Sequence, residues 1–181
     1  MAGEAYSRFK GLSAVITTNA PGALNLLNGI DGAWNDSIPC IFICGQVNRS
    51  RWNRSKEDPG GREIVDIVTI TKSITKYSEY IEDPNKIKYY LDKAVHIAKE
   101  GRPGPVLLDI PLDVQKANIE PSCLAGFKPK PPVINVSEDF LEAKVSHAWH
   151  LIQQSKRPVI LLGGGIRNSR TMEQARKLVE T

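Results

Sequence analysis

Gly101-Arg102-Pro103-Gly104-Pro105-Val106-Leu107-Leu108-Asp109-Ile110-Pro111 carries the strongest fold signal in the chain. Pro105 to Ile110 is apolar but for one acid, too short for a helix, and closed by Pro111, which predicts a strand buried on both faces. Ahead of it, Asp83-Pro84 opens a helix whose Ile87, Leu91, Ala94, Val95 and Ala98 keep helical spacing until Gly101 ends it. A helix feeding a doubly buried strand is the unit of a parallel α/β sheet.

The same pattern extends in both directions. Upstream, Ile38 to Cys44 is another continuous apolar run, Leu12 to Thr17 a shorter one, and Met1 to Phe9 has helical composition stopped by Lys10-Gly11. Thr18-Asn19-Ala20-Pro21-Gly22 leads into a helical stretch through about Trp34, with Asn19 placed to cap it. A polar loop covers Gly45 to Gly61, a short helix is expected near Glu63 to Ile70, and a strand around Ile74 to Tyr80. Downstream, Lys116 to Val136 carries Pro121, Pro129, Pro131 and Pro132 and reads as a linker. A helix from Ser137 to Gln154 follows, with Leu141, Val145, Ala148, Leu151 and Ile152 on its inward face. Pro158 to Leu162 is a predicted strand, then a glycine turn and a last helix. The domains expected are therefore 1–117, the linker 118–136, and the beginning of a second α/β domain, 137–181.

Composition excludes several classes. Of 181 residues 41% are hydrophobic and 24% charged, which supports a sizeable core rather than disorder. No apolar run reaches the roughly 20 residues of a membrane span, and the N-terminus lacks a signal-peptide layout, so no membrane partner is expected and the chain reads as cytoplasmic. The net charge of +4 is local: Arg49, Arg51, Arg54, Lys56 and Arg62 stand against only Glu57 and Asp58 between Asn48 and Arg62. Such a loop attracts phosphates or nucleic acid, or is simply solvated. No RNA-binding aromatic motif, zinc-finger spacing or helix-turn-helix accompanies it, so no nucleic-acid partner is assigned. Cys40, Cys44 and Cys123 have no CxxC spacing and read as buried, reduced thiols. His147 and His150, three apart on a helix, lack a third metal ligand, and His96 reads as a helix-face residue. Trp34, Trp149 and Tyr77 read as core or edge packing.

Ligands of open α/β sheets sit where the strands end at their carboxyl side. Three segments qualify: Thr17 to Asn25, Cys44-Gly45-Gln46-Val47, and Gly101 to Pro111. The first offers a helix N-terminus and the side-chain amide of Asn25, or is no more than a strand–helix connection.

In order along the chain, these pieces resemble the pyrimidine-binding domain of thiamine-diphosphate-dependent enzymes of the acetolactate synthase (acetohydroxyacid synthase) type. The matching pieces are Ala5-Tyr6 with Arg8, Pro21-Gly22-Ala23 with Asn25, Asp36-Ser37-Ile38-Pro39, Gly45-Gln46-Val47, Ile74-Thr75-Lys76-Tyr77, and the stretch from Gly101 to Pro111 with Asp113-Val114-Gln115. Arg157 to Gly165 resembles the first strand and turn of the family's central, Rossmann-like domain. The resemblance implies thiamine diphosphate as cofactor, with Pro21, Gly22 and Asn25 against the pyrimidine ring and Gln46 in a strand-end role. It implies a 2-oxo acid such as pyruvate as substrate and a homo-oligomer, dimer or tetramer, because each site spans two chains.

The departures from the family pattern carry their own expectations. The family's activating glutamate precedes the helix that ends in Tyr6-x-Arg8. Met1 lies inside that helix and Glu4 comes too late, so no catalytic residue is assigned here and the chain alone is expected to be inactive. No Gly-Asp-Gly occurs, so magnesium would be held through a domain this sequence does not include, and no metal ligand is assigned within it. Gly61-Arg62-Glu63 stands where the family has Phe-Gln-Glu, which makes Arg62 a candidate substrate-pocket residue or a solvated one. Gly163-Gly164-Gly165 invites FAD, but Asn168 occupies the place of the last glycine in GxGxxG. The alternative is a non-catalytic binding or assembly module derived from such an enzyme.

Overall fold

The computed structural model describes residues 1–51, 64–129, 131 and 136–180. Four strands, β1 (Ser13–Thr17), β2 (Cys40–Gln46), β3 (Tyr77–Tyr80) and β4 (Pro105–Pro111), form one sheet in the order β1-β2-β4-β3. Every pairing is parallel, with Ser13 opposite Cys40, Cys40 opposite Pro105 and Tyr77 opposite Val106. Parallel strands need crossovers, and helices supply them: α2 (Ala20–Leu24) and α3 (Leu27–Asn35) between β1 and β2, α4 (Ile67–Thr71) before β3, and α5 (Ile87–Lys99) between β3 and β4. Helix α1 (Ala2–Lys10) precedes β1, and α6 (Leu112–Gln115) follows β4 directly.

The alternation of side chains along a strand divides the core in two. Cys40, Phe42 and Cys44 of β2 and Leu107 of β4 face Ala23, Ile30, Ala33 and Ile67. Their neighbours Ile41, Val106 and Leu108 face Ala94 and Ala98 of α5 on the other side. Both faces are therefore covered, as the apolar runs require. Full burial of each large apolar side chain contributes roughly 1.5–3 kcal/mol. Helix α1 approaches β1 at Gly3, where any Cβ would overlap Val15, so glycine sets that close contact. Ser13 fastens the same junction, donating to the Gly3 carbonyl at 2.7 Å and accepting from Ser7 Oγ at 2.8 Å.

The stretch from Gly101 to Pro111 also staples the fold. Gly101 ends α5 at a left-handed φ of 55°, and Arg102 donates through Nε to Ser37 Oγ (2.6 Å) and through a terminal nitrogen to the Asn35 carbonyl (3.2 Å). Arg102 thus holds the α3–β2 turn, where Ser37 itself has φ 57°.

Several expected elements differ in detail. The single helix expected after Asn19 is two, broken at Asn25 and Leu26. Asn19 flanks α2 without a side-chain cap, its Oδ1 accepting from Thr18 Oγ1 at 3.2 Å instead. β2 runs two residues later than the Ile38 to Cys44 run. β3 is shorter than expected because Ile74 closes a turn onto the Thr71 carbonyl. The short helix near Glu63 begins at Ile67, capped by Asp66, whose carboxylate accepts from Thr69 N (3.0 Å) and Thr69 Oγ1 (2.8 Å). Cys40 and Cys44 are buried and free, but Cys123 is exposed, since its segment lies on the surface in a short 3-10 turn, Pro121–Cys123.

The chain forms two compact units, Met1–Pro129 and Lys130–Thr181. Within the first, Phe127 meets the rings of Tyr89 and His96, each 5.5 Å between centroids, so residues after β4 lie along α5. The second contains α7 (Glu138–Gln154), capped by Ser137, whose Oγ accepts from Phe140 N at 3.3 Å. It continues with α8 (Gly165–Asn168) and α9 (Met172–Glu180), so the expected last helix is also two, separated at Arg170 with φ 59°. The strand expected at Pro158 to Leu162 does not form: a strand requires a neighbour to share its hydrogen bonds, and none stands beside it among the described residues. Leu141, Val145 and Leu151, expected to face inward, are exposed within this unit for the same lack of a covering layer.

Candidate functional site

Three adjacent strands, β1, β2 and β4, end on one side of the sheet, and a cavity of about 520 Å³ opens there. It is lined by Thr18 and Asn19 after β1, Gly45 to Asn48 and Arg51 at the end of β2, and Leu112 and Gln115 after β4. This is where a parallel sheet leaves backbone groups without ladder partners and where ligands of α/β sheets bind. The size falls in the range of small-molecule sites.

The floor is fixed by Gln46. Its Nε2 donates to Asp109 Oδ2 (3.1 Å) and to the Val65 carbonyl (3.2 Å), and its Oε1 accepts from Val47 N (2.9 Å). The whole amide is committed to the fold, in keeping with the strand-end role expected of it. Asp109 behind it is fully buried, and the Cys44 thiol is pushed up to about 12, first by burial and then by the nearby Asp109 charge. Gly45 has no side chain where one would crowd the cavity: a Cβ would stand 3.2 Å from Gln115 Nε2 and 3.6 Å from the Thr17 carbonyl. Gln115 is in turn oriented by donating to the Ile110 carbonyl at 2.6 Å.

One wall is a clamped turn. Arg49 donates through its backbone N to Asp113 Oδ1 (3.0 Å), through Nε to Asp113 Oδ2 (2.5 Å), and through a terminal nitrogen to the Glu82 carbonyl (2.7 Å). The same contacts hold the Asp113 carboxyl below its ordinary range and raise the Arg49 guanidinium. Asn48 Oδ1 accepts from both Ser50 N and Ser50 Oγ at 3.1 Å, and Arg51 N closes the 3-10 turn onto the Asn48 carbonyl at 2.9 Å.

Pro21, in α2, and Asn25, just past its end, fall one helical turn apart, joined by a hydrogen bond from Asn25 N to the Pro21 carbonyl at 3.3 Å. Both are exposed, and both lie beyond the residues that line the cavity. Gly22 sits at the neck of that turn, where a Cβ would come within 2.5 Å of Thr17 Oγ1 and 2.8 Å of Thr18 Cγ2. Arg62 lies outside the described residues. Glu4 is not at the cavity: it pairs with Arg8, which also binds Asp36. His150 shares a 2.8 Å hydrogen bond with Gln154, and among the described residues no cluster of acids, histidines or cysteines could hold a metal. A Cβ added at Gly163, Gly164 or Gly165 would stand in open space, with no atom beyond the local backbone within 4 Å among the described residues.

Sequence reasoning missed Asn48, Arg51 and Leu112 as cavity residues. Their signal was position alone, one to five residues beyond a strand end. For Arg51 it was masked by membership in a basic run.

Residues 1–70 match the thiamine pyrophosphate enzyme family's N-terminal TPP binding domain. The four-stranded parallel sheet with helices on both faces accords with that domain, and the chain belongs to the thiamine-diphosphate-dependent enzymes. It is of the acetolactate synthase-like kind: similar to acetolactate synthase 2, chloroplastic, of Nicotiana tabacum, with 37% identity over 99% of this chain and 26% of the relative. The acetolactate synthase large subunit of Parasynechococcus marenigrum is 37% identical over 99% of this chain and 28% of its own length. Acetolactate synthase, chloroplastic, of Arabidopsis thaliana is 37% identical over 93% of this chain and 24% of its own. The chain thus spans about a quarter of the length of the curated relatives it matches. Among the described residues no helix is long and apolar enough to cross a membrane.

Proposed function

We propose that residues 1–129 supply the pyrimidine-binding side of a thiamine-diphosphate site in an acetolactate synthase-like enzyme that joins or decarboxylates 2-oxo acids such as pyruvate. The observation that carries this reading is the amide-lined cavity at the ends of β1, β2 and β4, beside the Pro21–Asn25 turn. Its lining fits an aminopyrimidine, a flat neutral ring with polar edges. Val47 and Leu112 offer apolar wall, Asn19, Asn48 and Gln115 offer amides, and the bare backbone at Gly45 permits close approach. Pro21, Gly22 and Asn25 orient the ring from the rim in this reading. When bound, thiamine diphosphate supplies a nucleophilic carbon for attack on a 2-oxo acid carbonyl. The chain's own residues bind and orient: Gln46 holds the strand ends in register, and the Arg49–Asp113 pair fixes the turn that closes one wall.

No carboxylate lines the cavity among the described residues, and Asp109 is screened from it by Gln46. That favours a chain that binds the ring without activating it alone, whether as part of a larger enzyme or as a binding module. Magnesium and the diphosphate are assigned to other surfaces, in a dimer or tetramer. Residues 137–181 are assigned to a second, Rossmann-like domain, and FAD is not part of the proposal. Calorimetric titration of the full chain with thiamine and with thiamine diphosphate tests the reading. Both should bind with affinities within about tenfold of each other, and pyruvate added to the mixture should release no carbon dioxide. Absence of binding by either compound at millimolar concentration would refute the site; turnover of pyruvate would refute the claim of inactivity.

A further inference from the structure

We propose that Arg51, at the edge of the cavity assigned above to the pyrimidine ring, recognises the carboxylate of a small ligand held beside that ring, the 2-oxo acid itself, by a forked guanidinium contact. The inference rests on the reading of the site given above and names the residue that would recognise the substrate's charged end. Arg51 is the only charged side chain lining the cavity among the described residues. Among them, too, no carboxylate pairs with it: Asp113 is engaged by Arg49 through two oxygens, and Asp109 lies buried behind Gln46. A lone cation at the mouth of a cavity with no lining acid favours an anionic guest.

The turn that carries Arg51 is held in place before any ligand arrives. Arg49 anchors it to Asp113 and to the Glu82 carbonyl, and Ser50 ties it to Asn48 Oδ1, so little ordering remains to be done on binding. Those two contacts occupy the oxygen of the Asn48 amide and leave its NH2 end to donate. A carboxylate set against Arg51 can accept two parallel N–H bonds, a geometry that guanidinium offers and ammonium does not. A phosphate offers the same oxygens, so both sources must be compared.

The test uses the full chain, titrated calorimetrically with pyruvate, with methyl pyruvate and with inorganic pyrophosphate, in the unaltered protein and in Arg51→Gln and Arg51→Lys. The expected result is pyruvate binding that weakens about tenfold or more in Arg51→Gln and on methyl esterification, as for loss of a charged hydrogen bond. Arg51→Lys should fall between, because it restores charge without the fork. Circular dichroism confirms that each variant is folded. Equal pyruvate affinity in the unaltered and Arg51→Gln chains, or no pyruvate binding at all, would overturn the proposal. Pyrophosphate that binds tighter than pyruvate and depends on Arg51 would overturn it as well, reassigning the residue to a phosphate group. Thiamine binding by the unaltered chain is read separately, so loss of the cofactor site and loss of the carboxylate contact give different outcomes.

Discussion

Gln46 shows how a residue at a site can serve the fold first. Replacing it with Leu removes three hydrogen bonds and takes one partner from the buried Asp109. We expect a loss of about 2–3 kcal/mol in urea unfolding, the cost of leaving buried polar groups unmatched. Cys44 gives a pH signature. Its folded value, about 12, lies above the ordinary 9.0 of the thiol, so its contribution to stability is complete below pH 9 and is lost as pH rises from there toward 12. Unfolding midpoints measured across that window should fall, and fall less steeply in Cys44→Ala. Brief alkylation at pH 8 followed by mass spectrometry should label Cys123 and spare Cys40 and Cys44, because only Cys123 is exposed. Labelling of all three in the folded chain would contradict the buried placement.

At the scale of elements, caps and glycines separate what could be read from what could not. The pattern of Ile87, Leu91, Ala94 and Ala98 announced α5 and its buried face, and all four belong to the core beneath it. β4 was legible because prolines bound a run with no polar alternation. β3 was legible as a strand but not in its start, since Thr75 and Thr71 form a local turn in which Thr75 Oγ1 donates to the Thr71 carbonyl, a choice that β-branched residues do not advertise. Lys76 ends that turn and donates to the Ile97 and Glu100 carbonyls at the close of α5. Burial lowers its ammonium below the ordinary range. Lys76 belongs to the Ile74-Thr75-Lys76-Tyr77 motif, and nothing in its sequence neighbours indicates a cap for another element. Asp66→Ala should cost about 1 kcal/mol through loss of the α4 cap, measured by denaturant unfolding.

For the molecule as a whole, the alternation of doubly buried strands with helices carried the parallel α/β fold, and the ordered turns carried the family. The cavity was legible only as a location, the carboxyl ends of β1, β2 and β4. Resemblance places Pro21 and Asn25 beside it, and in the structure Pro21 stands exposed on α2 and Asn25 exposed just past its end. Arg51 and Asn48 emerged only once the Arg49–Asp113 clamp had fixed the turn, a contact between residues 64 positions apart that no local pattern contains. The second unit reads the other way: Pro158 to Leu162 has the composition of a strand, yet strands exist by pairing and this one has no described neighbour.

A pyrimidine-binding surface at the carboxyl ends of β1, β2 and β4 is read out by an NMR titration of the 15N-labelled full chain with thiamine. Saturable shifts are expected for the Thr18, Gly22, Gly45 and Val47 amides, with those of α7 and α9 unmoved. Shifts confined to other surfaces, or none at millimolar thiamine in a folded chain, would contradict it.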